Sequence, residues 1–307
     1  MLAEALERRP LGRTGLRVTG VCVGGAPLGS MPANFGYEVP AERAVETVRR
    51  VLSGPINFLD TSNNYSGGES ERRIGTALRA VGGLPEGFVL ATKVDRDDGG
   101  DFSGARVRRS LRESLDRLGL ERLQLVYLHD PEHISFDAAV APGGPVEALV
   151  ELRREGLIEH VGVAGGPIDL MLRYIRTEAF EVVLTHNRFT LVDQSAEPLL
   201  QEARELGVAV VNAAPFGGGV LAKGPAAMRT YAYQPAADDI VRRIEQIHAT
   251  CRRYGVPLAA AALQFSLRDP RVASTIVGMS APERVDDTAR LARWSIPDEL
   301  WEELRPL

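Results

Sequence analysis

The stretch FVLATKVDRDDGGDFSGARVRRSLRESLDRLGLERLQLVYLHD (residues 88–130) carries the pattern that decides the fold. It opens on the apolar run 88–94 and closes on another at 123–130, with a helical segment between them. In LRESLDRLGL, Leu111, Leu115 and Leu118 recur on one helical face, while Arg112, Glu113 and Asp116 point away from it. Ser103 is placed to cap the start of this helix. Gly119 ends it, because a residue without Cβ takes the left-handed conformation after a helix without strain. Neither apolar run shows the strict polar alternation of a half-exposed sheet. Strands of that kind are covered on both faces, which predicts parallel β-structure.

The same unit recurs along the chain. Apolar runs stand at 18–25, 56–62, 88–94, 123–130, 160–166, 181–187, 208–214 and 273–278. Helical patterns cover 40–53, 68–81, 103–118, 144–155, 168–177, 195–206, 238–254 and 282–292, with a further one at 258–269. Gly156 and Gly207 repeat the role of Gly119, and Pro257 stops the helix that ends at 254. This alternation, with no break in composition, predicts one α/β catalytic unit over 1–307: a (β/α)8 TIM barrel. LGRTGLRV (11–18) reads as an N-terminal β-hairpin, turning at Thr14–Gly15 and closing the bottom of the barrel. A doubly wound sheet would instead carry GxGxxG after its first strand. Here Gly24–Gly25 is followed by Ala26, Pro27, Leu28 and Gly29, which is not that fingerprint.

The 307 residues include 36 Lys and Arg against 41 Asp and Glu, a formal charge of −5. That balance gives no general attraction to nucleic acid or to anionic lipid. Two cysteines, Cys22 and Cys251, exclude a disulfide framework and a cysteine-rich metal site. The opening MLAEALERRP has no apolar core of a signal peptide, and no apolar run approaches the roughly 20 residues of a membrane helix. The expectation is a cytoplasmic protein acting on a small molecule, with no nucleic-acid or membrane partner, as a monomer or a weak homo-oligomer.

In a barrel, polar residues at the C-terminal ends of strands reach one common mouth, whereas in mid-strand they would be buried at a cost. Asp60, Lys93 and His129 end apolar runs, and Tyr65 follows closely in NNYSGGES. A lone charge at such depth is expensive, so Asp60 and Lys93 read as a pair, either structural or catalytic. An ammonium beside the Tyr65 phenol is expected to lower its pKa and fit it for proton transfer at an alcohol or carbonyl. His129 is expected to orient the substrate oxygen, with Asp130 facing outward or capping its loop. The remaining histidines do not cluster in sequence, so no metal is expected, and no GxSxG elbow supports a serine hydrolase. An anion site is expected near the last two strands, from the backbone of 212–224 with Lys223, and from Met279, Ser280 and Arg284 at a helix start.

These residues resemble the aldo-keto reductase superfamily. The match runs through INFLDTSNNYSGGESERRIGTALR (56–79), TK at 92–93, LVYLHD (125–130), PLGRTGLRVTGVCVGG (10–25), GLIEHVGVAGG (156–166) and IVGMSAPERVDD (276–287). Asp60, Tyr65, Lys93 and His129 fall on that family's catalytic tetrad. The resemblance implies an NAD(P)-dependent oxidoreductase, with Tyr65 as general acid–base, tuned by Lys93 and Asp60, and a nicotinamide lying across the barrel mouth. Several positions depart from the pattern. Ala164–Gly165–Gly166 replaces a Ser-Asn pair, His186 a glutamine and Ala213 a stacking tyrosine. Gly278 and Met279 stand where a lysine often meets a 2′-phosphate, and Asp287 where a glutamate lies near adenine. Cofactor contacts are therefore assigned to His186, Asn187, Phe216, Gly217, Gly218, Gly278, Met279, Ser280, Arg284 and Asp287. The loss of a cationic partner leans the choice toward NAD or dual use.

The departures, and NAAPFGGGVLAKG (212–224) above all, look like the aldose 1-dehydrogenase branch, which takes L-fucose, D-threo-aldoses or L-galactose. Activity on the anomeric hydroxyl of L-fucose, L-galactose or D-arabinose is the resulting expectation. Phe35, Tyr37, His133 and Phe136 are assigned to the substrate. A pyridoxal dehydrogenase or a broad aldehyde and ketone reductase with the same tetrad is the alternative, and a non-enzymatic binding subunit or a metal-dependent hydrolase is a reading of another class.

Overall fold

Eight short strands close on themselves in the computed structural model, which describes residues 6–305. Residues 1–5, which begin the segment where no signal peptide is expected, and 306–307 lie outside the described residues. The barrel strands are β1 (Val21–Gly24), β2 (Phe58–Asp60), β3 (Val89–Val94), β4 (Leu123–His129), β5 (Ile158–Ala164), β6 (Val182–His186), β7 (Ala209–Ala213) and β8 (Val272–Gly278). Each pairs in parallel with the next, and β8 returns to β1 through Thr275↔Val21 to Gly278↔Gly24. This is the (β/α)8 barrel the alternation predicts.

The period of two along each strand explains the layering. Cys22, Phe58, Val89, Ala91, Leu125, Tyr127, Val182, Leu184, Ala209, Val211 and Ile276 point inward and pack together in the barrel's centre. The intervening Val21, Val23, Leu59, Leu90, Val94, Val126, Leu128, Val183 and Val210 point outward, into a second core under the helices. Both faces of every strand are thus buried, which is why the runs read as continuously apolar.

Helices at Ala41–Leu52, Glu69–Val81, Gly104–Leu118, Pro145–Arg154, Ile168–Ile175, Glu197–Leu206, Asp238–Arg253, Leu258–Leu267 and Pro282–Ala292 fill the spans expected from periodicity. Ser103 accepts a hydrogen bond from the Arg106 amide at 3.3 Å and caps its helix, and Gly119 ends it at φ 71°. The N-terminal hairpin differs in register from expectation. Its arms are Arg8–Pro10 and Arg17–Thr19, and residues 11–16 form the loop between them. The first apolar run is accordingly divided, with its beginning in the hairpin and only Val21–Gly24 in the barrel. Leu11 and Val18, both fully buried, fill the base of the barrel interior. Among the described residues no helix is long and apolar enough to cross a membrane.

Candidate active site

Because side chains alternate, the last inward residue of a strand faces the mouth. On β2 that residue is Asp60, on β3 Lys93, on β4 His129 and on β6 His186, and all four line one cavity of about 340 Å³ together with Tyr65. The Lys93 ammonium uses all three of its protons: on Asp60 Oδ1 at 2.5 Å, on the Thr61 carbonyl at 2.7 Å and on Tyr65 Oη at 3.1 Å. Lys93 is 1% exposed and Asp60 2%. Burial alone would push the lysine toward the neutral amine, but the Asp60 carboxylate and the Tyr65 oxygen reverse this and hold it charged. Burial likewise raises the Asp60 carboxyl, against the pull of Lys93.

The expected direction of the Tyr65 shift is corrected by the structure. Burial pushes the phenol up to about 12, outweighing the opposing ammonium, whose field is partly cancelled by Asp60. Tyr65 is therefore a phenol at neutral pH, and Lys93 limits the rise rather than producing a net fall.

His129 has a partner that the sequence reading did not single out. Its Nδ1 lies 2.6 Å from Asp95 Oδ1 and 3.1 Å from Ser62 Oγ, and its ring meets Tyr65 edge-on at 5.8 Å. Asp95 follows Lys93 by two residues in TKVD, so the alternation that turns Lys93 inward also carries Asp95 to the mouth. That spacing was the available signal. The Asp95 and Asp130 carboxylates raise the His129 pKa against the opposing effect of burial. Asp130, expected to face outward or to cap its loop, has a side chain 41% exposed, and its carbonyl caps the turn by accepting from the His133 amide at 3.1 Å. With a left-handed backbone at φ 43° it also lines the cavity, 3.7 Å from His129 Nε2.

Of the residues assigned to substrate, Phe35 lines the cavity, beside Met31 and Asn34. Tyr37 stacks behind Phe35 and is 41% exposed. His133 is exposed at the end of the turn Pro131–His133, outside the cavity. Phe136 is also displaced from it, because its ring is held 5.0 Å from Tyr174 and under Arg173. Tyr233, which the sequence reading missed, packs edge-on against Phe35 at 6.0 Å and completes the apolar wall.

Of the residues assigned to cofactor, His186, Asn187 and Gly278 line the cavity. Phe216, Gly217 and Gly218 do not. Phe216 packs on the outer core, and a Cβ on Gly217 would strike the Tyr231 ring at 2.4 Å, so this loop supports the ribbon 230–235. Met279 is corrected as well: its side chain is fully buried and its amide donates to the Gly24 carbonyl. Ser280 is half-buried just outside the cavity, and Arg284 and Asp287 lie on the helix Pro282–Ala292, where Asp287 pairs with Arg290. Among the described residues no group of three His, Cys, Asp or Glu side chains is arranged to hold a metal.

The cavity suits a flat carboxamide-bearing ring. Among the described residues Asn187 Oδ1 is buried without a hydrogen-bond partner, while its Nδ2 lies 3.2 Å from His186 Nδ1. A primary amide could donate to the one oxygen and accept from the neighbouring imidazole. Ala164, Ala213 and Ala214 line the cavity with small side chains.

A model of the Aldo/keto reductase family matches residues 21–307. L-galactose dehydrogenase of Arabidopsis thaliana is 35% identical over 287 residues, covering 92% of this chain and 86% of the relative. D-threo-aldose 1-dehydrogenase of a Pseudomonas species is 32% identical over 317 residues, covering 94% of each. Among solved structures, the holo form of an aldo-keto reductase from Bacillus halodurans shares the fold, with a TM-score of 0.81 at 23% identity over 98% of this chain and 96% of that one.

Proposed function

The chain belongs to the aldo/keto reductase family and is an NAD(P)-dependent oxidoreductase, and from that premise we propose that it oxidises the anomeric hydroxyl of an aldose to the lactone, with L-fucose, L-galactose and D-arabinose as candidate substrates. The observation that carries the reading is the buried Lys93 ammonium 3.1 Å from Tyr65 Oη at the cavity, with Asp60 behind it. The two relatives named for aldose substrates support the choice of sugar.

When bound, the oxidised nicotinamide supplies the acceptor for the substrate's hydride. Tyr65 takes the hydroxyl proton in oxidation and returns it in reduction. Its raised pKa keeps the phenol protonated for the reductive direction, and Lys93, which opposes that rise, eases proton release and stabilises the phenolate needed for the oxidative one. His129 binds the same substrate oxygen. His186 and Asn187 hold the carboxamide, and Phe35, Met31 and Tyr233 exclude water. NAD or dual use is favoured, since Met279 is turned into the core and Arg284 is the exposed cation of that segment. The whole chain, 1–307, acts in this reading as one catalytic barrel in the cytoplasm, as a monomer or weak homo-oligomer.

A panel of aldoses, pyridoxal and simple aldehydes with both cofactors, read as kcat/KM, tests the proposal. An aldose with NAD, yielding a lactone, is expected to rank first. If pyridoxal or aldehyde reduction outranks every aldose, the sugar assignment is lost while the tetrad chemistry stands.

A further inference from the structure

We infer that Asp95 is a positioning residue: it fixes His129 with Nδ1–H toward itself and Nε2 toward the substrate, so that the charge on the ring decides whether Nε2 accepts a hydrogen bond from a hydroxyl or donates one to a carbonyl. This rests on the proposed function only in placing the substrate oxygen beside His129.

The chemistry follows from the donor inventory. An ionised carboxylate only accepts, so the 2.6 Å contact with Asp95 Oδ1 requires the hydrogen on Nδ1 in either charge state of the ring. In the neutral ring Nε2 then carries a lone pair and suits an alcohol. In the imidazolium it carries a hydrogen and suits a carbonyl.

Asp95 is itself held on every side. Its Oδ2 accepts from Ser62 Oγ at 2.5 Å and from the Asn64 amide at 3.1 Å. Its own amide donates to Ser110 Oγ at 3.0 Å, and its carbonyl accepts from Arg106 Nε at 3.0 Å. The residue is 6% exposed. This web leaves the carboxylate one orientation, and burial, which would raise its pKa, is outweighed by His129 and Ser62, which lower it. The charged and titratable groups around the ring are Asp95, Asp130, Lys93, Asp60, Tyr65 and His186. Asp95 is the one in direct contact with Nδ1. With the histidine pKa raised, carbonyl binding is favoured below that pKa and hydroxyl binding above it.

The test is a 15N NMR titration of His129 in the full-length protein without substrate, beside pH profiles of kcat/KM in both directions. The neutral ring is expected as the Nδ1–H tautomer. D95N keeps the shape but loses the charge, so the His129 pKa is expected to fall by about 1–3 units. The corresponding limb of the kcat/KM profile should move down with it, and in an H129Q background D95N should move no limb. An Nε2–H neutral tautomer, an unmoved His129 titration in D95N, or the same limb shift in the H129Q background would overturn the inference. The wild-type tautomer decides the matter even where D95N does not fold. It also needs no turnover, so a failed aldose panel and a failed role for Asp95 are distinguishable.

Discussion

At Tyr65 burial and charge work against each other, and the balance sets the chemistry of the site. Burial raises the phenol to about 12, while Lys93 at 3.1 Å restrains it. Tyr65→Phe keeps the ring and its edge contact with His129 but removes the transferable proton. Turnover is expected to fall by about 10²–10⁴-fold, with cofactor affinity in a fluorescence titration nearly unchanged. Retention of full turnover would exclude Tyr65 as the proton-transfer group. Lys93→Met acts twice. It leaves Asp60 buried without its counter-charge, for an expected loss of about 3–5 kcal/mol in denaturant unfolding. It also lets the Tyr65 pKa climb further, so an oxidative rate that needs phenolate should rise only at higher pH than in the wild type; an unmoved profile would separate Lys93 from Tyr65. Asp60, Lys93 and His129 were legible because each is a polar end to an apolar run. Asp95 was not singled out, because one further step of the same alternation lies beyond the strand. The sign of the Tyr65 shift was illegible, since the depth of burial exists only once the loop 61–68 is folded over the mouth.

Among the elements, those with a full period were readable and those shorter than a period were not. The helices fall within a few residues of their expected ends, whereas the ribbon of Thr230–Tyr231 and Gln234–Pro235 is two residues to an arm and leaves no pattern. Its turn is Ala232–Tyr233, both with left-handed backbones at φ 49° and 66°, where hairpins favour Asn-Gly. Such conformations cost on the order of 1–3 kcal/mol each. They persist here because Tyr231 Oη is tied to the Asn187 carbonyl and to Thr190 Oγ1, both at 2.9 Å, and they put the Tyr233 ring against Phe35 at the cavity. Replacing Ala232–Tyr233 by Asn-Gly should therefore raise the melting temperature while raising KM. A gain in stability with KM unchanged would remove Tyr233 from the substrate wall. The helices behind the site obey a tighter rule. Gly75, in Glu69–Val81, lies against Gly104–Leu118 so closely that a Cβ would come within 2.1 Å of the Arg117 carbonyl. Gly75→Ala should destabilise by about 1–3 kcal/mol through overpacking, although alanine is the better helix former. Thermal unfolding reads the sign, and a stabilised variant would show that the two helices can part freely.

Across the whole molecule, stability and chemistry are placed at opposite ends of one barrel. The order of eight runs, each followed by helix, made the architecture legible: doubly covered strands require a parallel α/β sheet, and the absence of GxGxxG after the first run favoured the closed form over the doubly wound one. The hairpin's closing role was readable from its position, but its register was not: arms of three residues carry too little alternation to fix which of them pair. Its inward side chains are nonetheless packed into the barrel. Leu11 is completely buried in the interior cluster with Val18, Cys22, Phe58, Val89 and Leu125, while Asp60, Tyr65, Lys93 and His129 face the other mouth. Cutting Leu11 to alanine leaves a void at the base that rigid strands close only in part, for an expected loss of about 2–5 kcal/mol. Phe58, Ala91 and Tyr127 each stand one inward position below Asp60, Lys93 and His129 on the same strands, between the tetrad and the base. The variant should then unfold at lower denaturant with kcat and its pH profile unchanged when assayed well below the transition. If kcat instead fell along with stability, the interior layers would be transmitting strain from floor to mouth, and the division of labour between the two ends would be wrong.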